Sequence, residues 1–567
     1  MAKVAALLLL VLVGATATAP TTKCFPDGFF LGTATAAYQV EGGVNETGRT
    51  SSIWDDFCRS RDDLQCANVA DDMLHRYESD IKIMQDMGLT SFRLSISWSR
   101  VMTWSPATKR MVRNNDGIAF YHRLLDAVIR AKMAPIVTLY HWDLPSALYV
   151  GSGGWLSRDI VPHFKEYANL MFDEFGHKVP IWTTFNEPWS FCVGGYGEGY
   201  HAPGLSHSDT ASYLAAHHVL LAHAAVVRLF HSRRHQFYPS AQIGIVLNSD
   251  MPFPLDPNSP EDVATSERKL QFSLGWFLSP IVYGDYPDVM KAYAGDHLPV
   301  FSDDEKAHLQ GTYDVFMVNY YSSSVVTDCN STRSTVTCDS LKQGWQRDAG
   351  VDNARAPPGA RPGSVNAQGD PLCGWFSGYP DGYLPLTRWV HAHNTSTPIL
   401  LTENGWCGNA TIDNQDQLWY FQTHLDRVWQ GLQEGLPLIG YTAWSFLDNY
   451  EWGSFEPRFG LFYVNYTTQT GGKESYDPVP SDLARIPRPA ATWFANVAQT
   501  RCLMPDATTR LDAQPTQGVP SWLQGVIYLG YTAPMAIAFV AMLAFHGHLP
   551  RVSAAVAKET TPLLRTA

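Results

Sequence analysis

Two apolar runs in this sequence end in an acid: TTFNEP, which carries Asn186 and Glu187, and LLTENG, which carries Glu403. Two carboxyl groups sharing one pocket can cleave a glycosidic bond, one protonating the leaving oxygen while the other attacks the anomeric carbon. That chemistry runs on proton transfer, so the reading calls for no cofactor. No CxxC pair or Cys/His cluster in the chain suggests a metal. A lone Glu at such a position is more often a helix-capping or solvated group. Two runs ending in Glu-Pro and Glu-Asn-Gly favour a shared pocket.

The acids must be brought together by the elements that carry them. Eight short apolar runs recur along the chain: FFLGTATAA, SFRLSIS, APIVTLYH, PIWTTFNE, AQIGIVLN, DVFMVNYY, TPILLTENG and LIGYTAWSF. Between them lie stretches of helical period such as RYESDIKIMQDMG and IAFYHRLLDAVIRAK. Strands spaced by helices imply βαβ units and a parallel sheet. Eight of them, with no second strong break in composition, predict an α/β fold of one catalytic domain, a (β/α)8 barrel over residues 20–503. Side chains at the C-terminal strand ends of such a barrel converge on one pocket. No Gly-x-Gly-x-x-Gly follows the first strand, which argues against a dinucleotide fold. Residues 338–380, rich in Gly, Pro, Asp and Ser, read as a long loop between strands six and seven. It either shapes the pocket or is a surface excursion. His217 and His218, in AAHHVLLAHAA, read as core residues.

The net charge of −13 is the wrong sign for a nucleic-acid surface. Residues 1–19 have the layout of a signal peptide, with cleavage after Ala17 or Ala19. N-x-[ST] triplets at Asn45, Asn330, Asn394, Asn409 and Asn465 fit a glycosylated, exported chain. The nine cysteines fit an oxidising compartment. Cys58 with Cys66, and Cys329 with Cys338, bracket short loops and read as local disulfides. The odd count leaves at least one thiol over, with Cys192 the candidate; Cys24, Cys373, Cys407 and Cys502 are unassigned. Beyond a linker at 504–521, residues 522–545 are free of charge and long enough to cross a bilayer, ahead of a short basic tail at 546–567. The favoured reading is a single-pass anchor holding the catalytic domain on the lumenal or extracellular side. A packed amphipathic helix and a removed lipid-anchor signal are the alternatives.

From about residue 25 to 498 the sequence resembles the family 1 glycoside hydrolases, the β-glucosidase, lactase and klotho-like group. TFNEP and TENG look like that family's acid/base and nucleophile motifs, which makes Glu187 the general acid/base and Glu403 the nucleophile of a retaining double displacement. By the same resemblance Gln39, in FPDGFFLGTATAAYQVEGG, contacts the sugar before the scissile bond. Arg93, in SFRLSISWSR, sits beside the nucleophile, where a cation favours the carboxylate that attack needs. LYHWDLP supplies His141 and Trp142, a donor to a hydroxyl and an aromatic face. Asn186 resembles the residue that holds the 2-hydroxyl. VNYY supplies Asn319, a sugar contact, and Tyr321, which hydrogen-bonds the nucleophile. WSFLDNYEW supplies Trp444, Glu451 and Trp452 to grip the glycone, and Phe459 lies near the 6-position. Glu451 would repel a 6-phosphate.

The sequence departs from the family pattern at GSFEP, after the Glu-Trp pair, and in a long Gly/Pro-rich link before the last helix. The expectation is a β-glycosidase, specifically a β-glucosidase, acting on a small β-glycoside or oligosaccharide. A non-catalytic, klotho-like sugar-recognising protein is the alternative, and transglycosylation shares the same intermediate. The myrosinase variant is set aside because Glu187 is intact.

Overall fold

The computed structural model describes residues 22–466 and 483–503. The eight apolar runs form the strands of a closed barrel: β1 (Phe30–Ala34), β2 (Ser91–Ser95), β3 (Ala134–Tyr140), β4 (Ile181–Asn186), β5 (Gln242–Asn248), β6 (Phe316–Asn319), β7 (Ile399–Glu403) and β8 (Leu438–Ala443). Each pairs in parallel with the next, and β8 closes on β1 through Gly440–Phe30 and Tyr441–Leu31. Parallel strands covered on both faces are apolar throughout, which is why these runs lack strict alternation. Ile136, Ile181, Val246, Met317 and Leu400 fill the interior.

Helices cover the outside. They include α1 (Met73–Asp86), α2 (Asn115–Arg130), α3 (Ile160–Phe175), α4 (Pro188–Tyr196), α5 (Ala211–Arg233), α6 (Pro260–Leu270), α7 (Tyr383–His393), α8 (Gln415–Gln433) and α9 (Pro489–Thr500). In α2, Ile118, Tyr121, Leu124, Leu125 and Val128 recur every three or four residues and are buried. Ala211–Gln236, which contains α5, is apolar and long enough to cross a membrane, but 78% of its apolar window is buried inside the protein. It is a core helix. His217 there pairs with the Tyr286 hydroxyl at 3.0 Å and His218 with the Trp155 carbonyl at 2.8 Å, as core histidines do.

Two register shifts fall at the strand ends that carry chemistry, between Thr183 and Asn186 in β4 and between Val318 and Asn319 in β6. Such irregularities re-aim side chains beside functional sites. Gly405, two residues after Glu403, is required by close approach: a Cβ there would lie 1.9 Å from the Trp444 carbonyl oxygen. That contact draws the ends of β7 and β8 together.

Residues 338–380 are a correction to the loop expectation. They contain a helical turn, Trp345–Ala349, and a strand, Val351–Arg355, which pairs antiparallel with Ser323–Asp328. That strand in turn pairs in parallel with Met251–Pro254. Composition concealed this because the segment gains its order from buried Val351 and Asp352 and from disulfides at both ends. Cys329 is joined to Cys338 and Cys373 to Cys407, alongside Cys58–Cys66 and Cys24–Cys502. Among the described residues Cys192 is free and buried. Asn45 and Asn330 are exposed, and Asn394, Asn409 and Asn465 partly so. The signal-peptide reading of 1–19, the linker 504–521, the anchor reading of 522–545 and the tail 546–567 lie outside the described residues, as does most of the Gly/Pro-rich link.

Candidate active site

Asn186 closes β4, and Glu187 follows in left-handed backbone with φ 48° before Pro188 opens α4. A residue preceding proline is kept out of the right-handed helical region, and the left-handed one costs about 1–2 kcal/mol for a residue with a Cβ. The strained turn swings the Glu187 side chain over the barrel mouth. Its Oε1 accepts from Asn319 Nδ2 at 2.6 Å and its Oε2 from the Ser190 hydroxyl at 2.8 Å.

Glu403 ends β7. Its Oε1 accepts from Arg93 Nη1 and its Oε2 from the Tyr321 hydroxyl at 2.6 Å. Arg93 reaches in the other direction too, donating through Nη2 to Asn186 Oδ1 at 2.7 Å. Asn319 Nδ2 lies 3.2 Å from that same oxygen, and its own Oδ1 accepts from the Thr402 hydroxyl at 2.7 Å. One hydrogen-bonded chain, Glu403–Arg93–Asn186–Asn319–Glu187, therefore joins the two acids.

The acids are unequal. Burial first, and the charge of Glu403 second, push the Glu187 carboxyl up to about 7. Glu403 is met by a guanidinium and a phenol hydroxyl, each donating to one of its oxygens. A carboxyl that holds its proton, facing one fixed in place by two donors, is the division of labour that glycosidic cleavage needs.

Both acids line a cavity of about 980 Å³ at the barrel mouth, with His141, Trp142, Asn186, Asn319, Tyr321, Trp444, Glu451, Trp452 and Phe459. His141 stacks between Trp444 and Trp452, 5.9 Å from each. Its Nε2 lies 3.1 Å from Asn186 Nδ2, while burial and the Arg93 charge hold it well below its usual pKa. Trp142 packs on Trp452 at 4.3 Å and donates its indole N–H to the Asn186 carbonyl at 2.9 Å, so it braces the site as well as walling it. Gln39 and Arg93 lie behind the wall. Gln39 spends its amide on Asn449 Oδ1 and the Tyr450 carbonyl, leaving buried Oε1 without a partner among the described residues. Burial pushes the Glu451 carboxyl well above the carboxylate range.

Sequence reasoning missed Ser190, although its i+3 spacing from Glu187 at a helix start was a usable signal. It also missed the outer cavity, where Trp189, Glu198, Asn248, Lys269, Trp345 and Trp375 come together from separate loops and helices. No local spacing announces those. Among the described residues the grouping closest to a metal site is Asp328, Cys329 and Cys338. Its two sulfurs are spent on each other in a disulfide.

Comparison with known proteins fits this geometry. Residues 21–502 match the family model described as glycosyl hydrolase family 1. A peroxisomal β-glucosidase of Arabidopsis thaliana is 36% identical over 498 residues, covering 83% of this chain and 84% of that protein. The raucaffricine-O-β-D-glucosidase of Rauvolfia serpentina is 36% identical over 513 residues, covering 83% and 90%. A rice β-glucosidase mutant, solved in a covalent complex with Glc, is similar with a TM-score of 0.74 and 34% identity, covering 83% of this chain and 98% of that one.

Proposed function

Because the chain belongs to glycosyl hydrolase family 1, we propose that Glu187 and Glu403 carry out its reaction, a double displacement at the anomeric carbon of a terminal β-D-glucosyl group. The protein is a retaining β-glucosidase, in keeping with its β-glucosidase relatives. A Glu403 oxygen attacks the anomeric carbon as the glycosidic bond breaks, and Glu187 gives its proton to the departing oxygen. A covalent glucosyl-enzyme results. Water then attacks the same carbon, Glu187 takes the water's proton, and the Glu403 ester bond breaks to release glucose in the β configuration. His141, Asn186, Trp444, Glu451 and Trp452, which line the cavity, hold the glucosyl ring.

The observation that carries this reading is the asymmetry of the two acids. Glu187 keeps its proton up to about pH 7, while Glu403 is held by Arg93 and Tyr321. A sugar-binding role without catalysis is disfavoured, since neither carboxyl group is missing. Proton NMR of the first glucose released from an aryl β-D-glucoside tests the proposal. The β anomer is expected first; the α anomer first, or turnover no greater than that of Glu403→Gln, would refute it.

Four disulfides and exposed or half-exposed sequon asparagines support passage through the secretory pathway. Anchoring through residues 522–545 is supported by their sequence alone, and carbonate extraction of membranes from expressing cells tests it.

A further inference from the structure

Lys269 stands on α6 beside the outer half of the cavity, with only 6% of its surface exposed. Its ammonium lies 4.6 Å from the Trp345 ring centre and 5.7 Å from that of Trp189. Among the described residues no hydrogen bond or ion pair reaches it. Burial lowers its pKa, opposed by the charges of Asp250 and Glu198. A buried ammonium has three N–H donors to satisfy, and leaving them unmet is costly.

Other polar atoms of this half are unmet as well. Trp189 Nε1 is a buried donor and Asn248 Oδ1 a buried acceptor, neither with a partner among the described residues. The Asn248 amide is turned by its contact with the Ser190 hydroxyl at 3.0 Å, which fixes its carbonyl. Folded proteins leave few buried polar groups unpaired, and a cluster of them beside a cavity marks what a ligand completes.

Chemistry selects that ligand. An anion can only accept hydrogen bonds and a hydrocarbon does neither, whereas a hydroxyl both donates and accepts. The charges around it already balance: Glu198 is met by Lys342 at 2.5 Å and Arg355 by Asp352 at 3.5 Å, and the negative charge of Asp250 acts on Lys269 without forming an ion pair with it. No net positive charge is left for an anion. Trp375, 59% exposed, offers an indole face to the C–H surface of a ring.

We infer that Lys269 determines specificity in this outer subsite by donating hydrogen bonds to the hydroxyls of a second sugar. The aglycone is thus itself a sugar, and the substrate a β-linked glucose disaccharide or oligosaccharide. This rests on the glucosidase reading above and names the group on the far side of the cleaved bond.

The test compares cellobiose with p-nitrophenyl β-D-glucoside in wild type and in Lys269→Met, which keeps the stem packed between the indoles. Losing hydrogen bonds from a charged donor is expected to lower the cellobiose-to-aryl ratio of kcat/KM by about tenfold or more. The aryl substrate, measured on the same sample, reports that the variant is folded. An unchanged ratio overturns the inference. So does p-carboxyphenyl β-D-glucoside being the substrate that loses most, since that identifies an anion site. If wild type cleaves none of the three, the glucosidase reading fails on its own. The inference is then decided by titrating tryptophan fluorescence with cellobiose: binding about tenfold weaker in Lys269→Met supports it, and equal binding refutes it.

Discussion

Replacing Glu187 with glutamine should make the protein more stable while disabling it, and the pH of the effect is set by the site. In the folded state this carboxyl titrates at about 7 against an ordinary 4.5, with burial the larger cause and the Glu403 charge the second. At 1.36 kcal/mol per pH unit the difference is roughly 3 kcal/mol. Between those two values the folded protein holds a proton that the unfolded chain has released. Stability therefore falls as pH rises through the window. Below 4.5 the residue imposes no such cost; above 7 the whole of it stands. A glutamine can keep both contacts, its carbonyl accepting from Asn319 and its amide donating to a Ser190 hydroxyl turned to accept. Glu187→Gln should thus unfold later than wild type at pH 8 and together with it at pH 4. For a barrel of this size, 3 kcal/mol corresponds to about 3 °C in Tm. Calorimetric scans at matched rates and buffers measure it. Equal Tm values at pH 8, or a gap of the same size at both pH values, would refute the assigned cost of ionising Glu187.

The pH profile of kcat/KM on a glucoside with a poor leaving group should lose its alkaline limb near pH 7, as Glu187 gives up its proton; a limb lying above pH 9 contradicts the assignment. Glu187→Gln should slow the same substrate about 10²–10⁴-fold and remove that limb, whereas a loss below tenfold would show that another group donates the proton. Tyr321→Phe deletes the 2.6 Å hydrogen bond to Glu403 and should lower kcat at least about tenfold, read by steady-state kinetics with circular dichroism to confirm folding. Separating Cys373 from Cys407 by Cys373→Ser frees the segment that bears Trp375 and should raise KM for cellobiose more than kcat changes.

The barrel was legible because its signal is local: eight apolar runs at strand length, each followed by helical period, need no knowledge of distant contacts. Glu187 and Glu403 were legible for the same reason, lying where such runs stop. Legibility failed where order comes from pairing across the chain. Val351–Arg355 has the composition of a loop and becomes a strand only against Ser323–Asp328. The outer subsite draws Trp189 from α4, Lys269 from α6 and Trp345 from a short helix after β6, three places that no spacing rule connects. Glu451 could be placed by resemblance, but the upward push on its carboxyl could not, because burial is a property of the assembled pocket.

The inner site behaves as one electrostatic unit. Asn186 Oδ1 is occupied by donors from Arg93 and Asn319, so its amide must turn toward His141. Amide nitrogen is a donor, which makes His141 Nε2 the acceptor and leaves the ring proton on Nδ1. That atom has no partner among the described residues, and the ring borders the cavity. Burial together with the Arg93 charge keeps the imidazole neutral, with its single N–H a buried donor beside the cavity. The guanidinium that supports the nucleophile thus also sets the tautomer and the charge of a sugar-binding histidine on the neighbouring strand. Removing Arg93 would release the amide, the imidazole and Glu403 together. Its kinetic effect would measure the collapse of the whole array, so the separate contributions of these residues must come from changes further along the chain, at Tyr321 or Asn319.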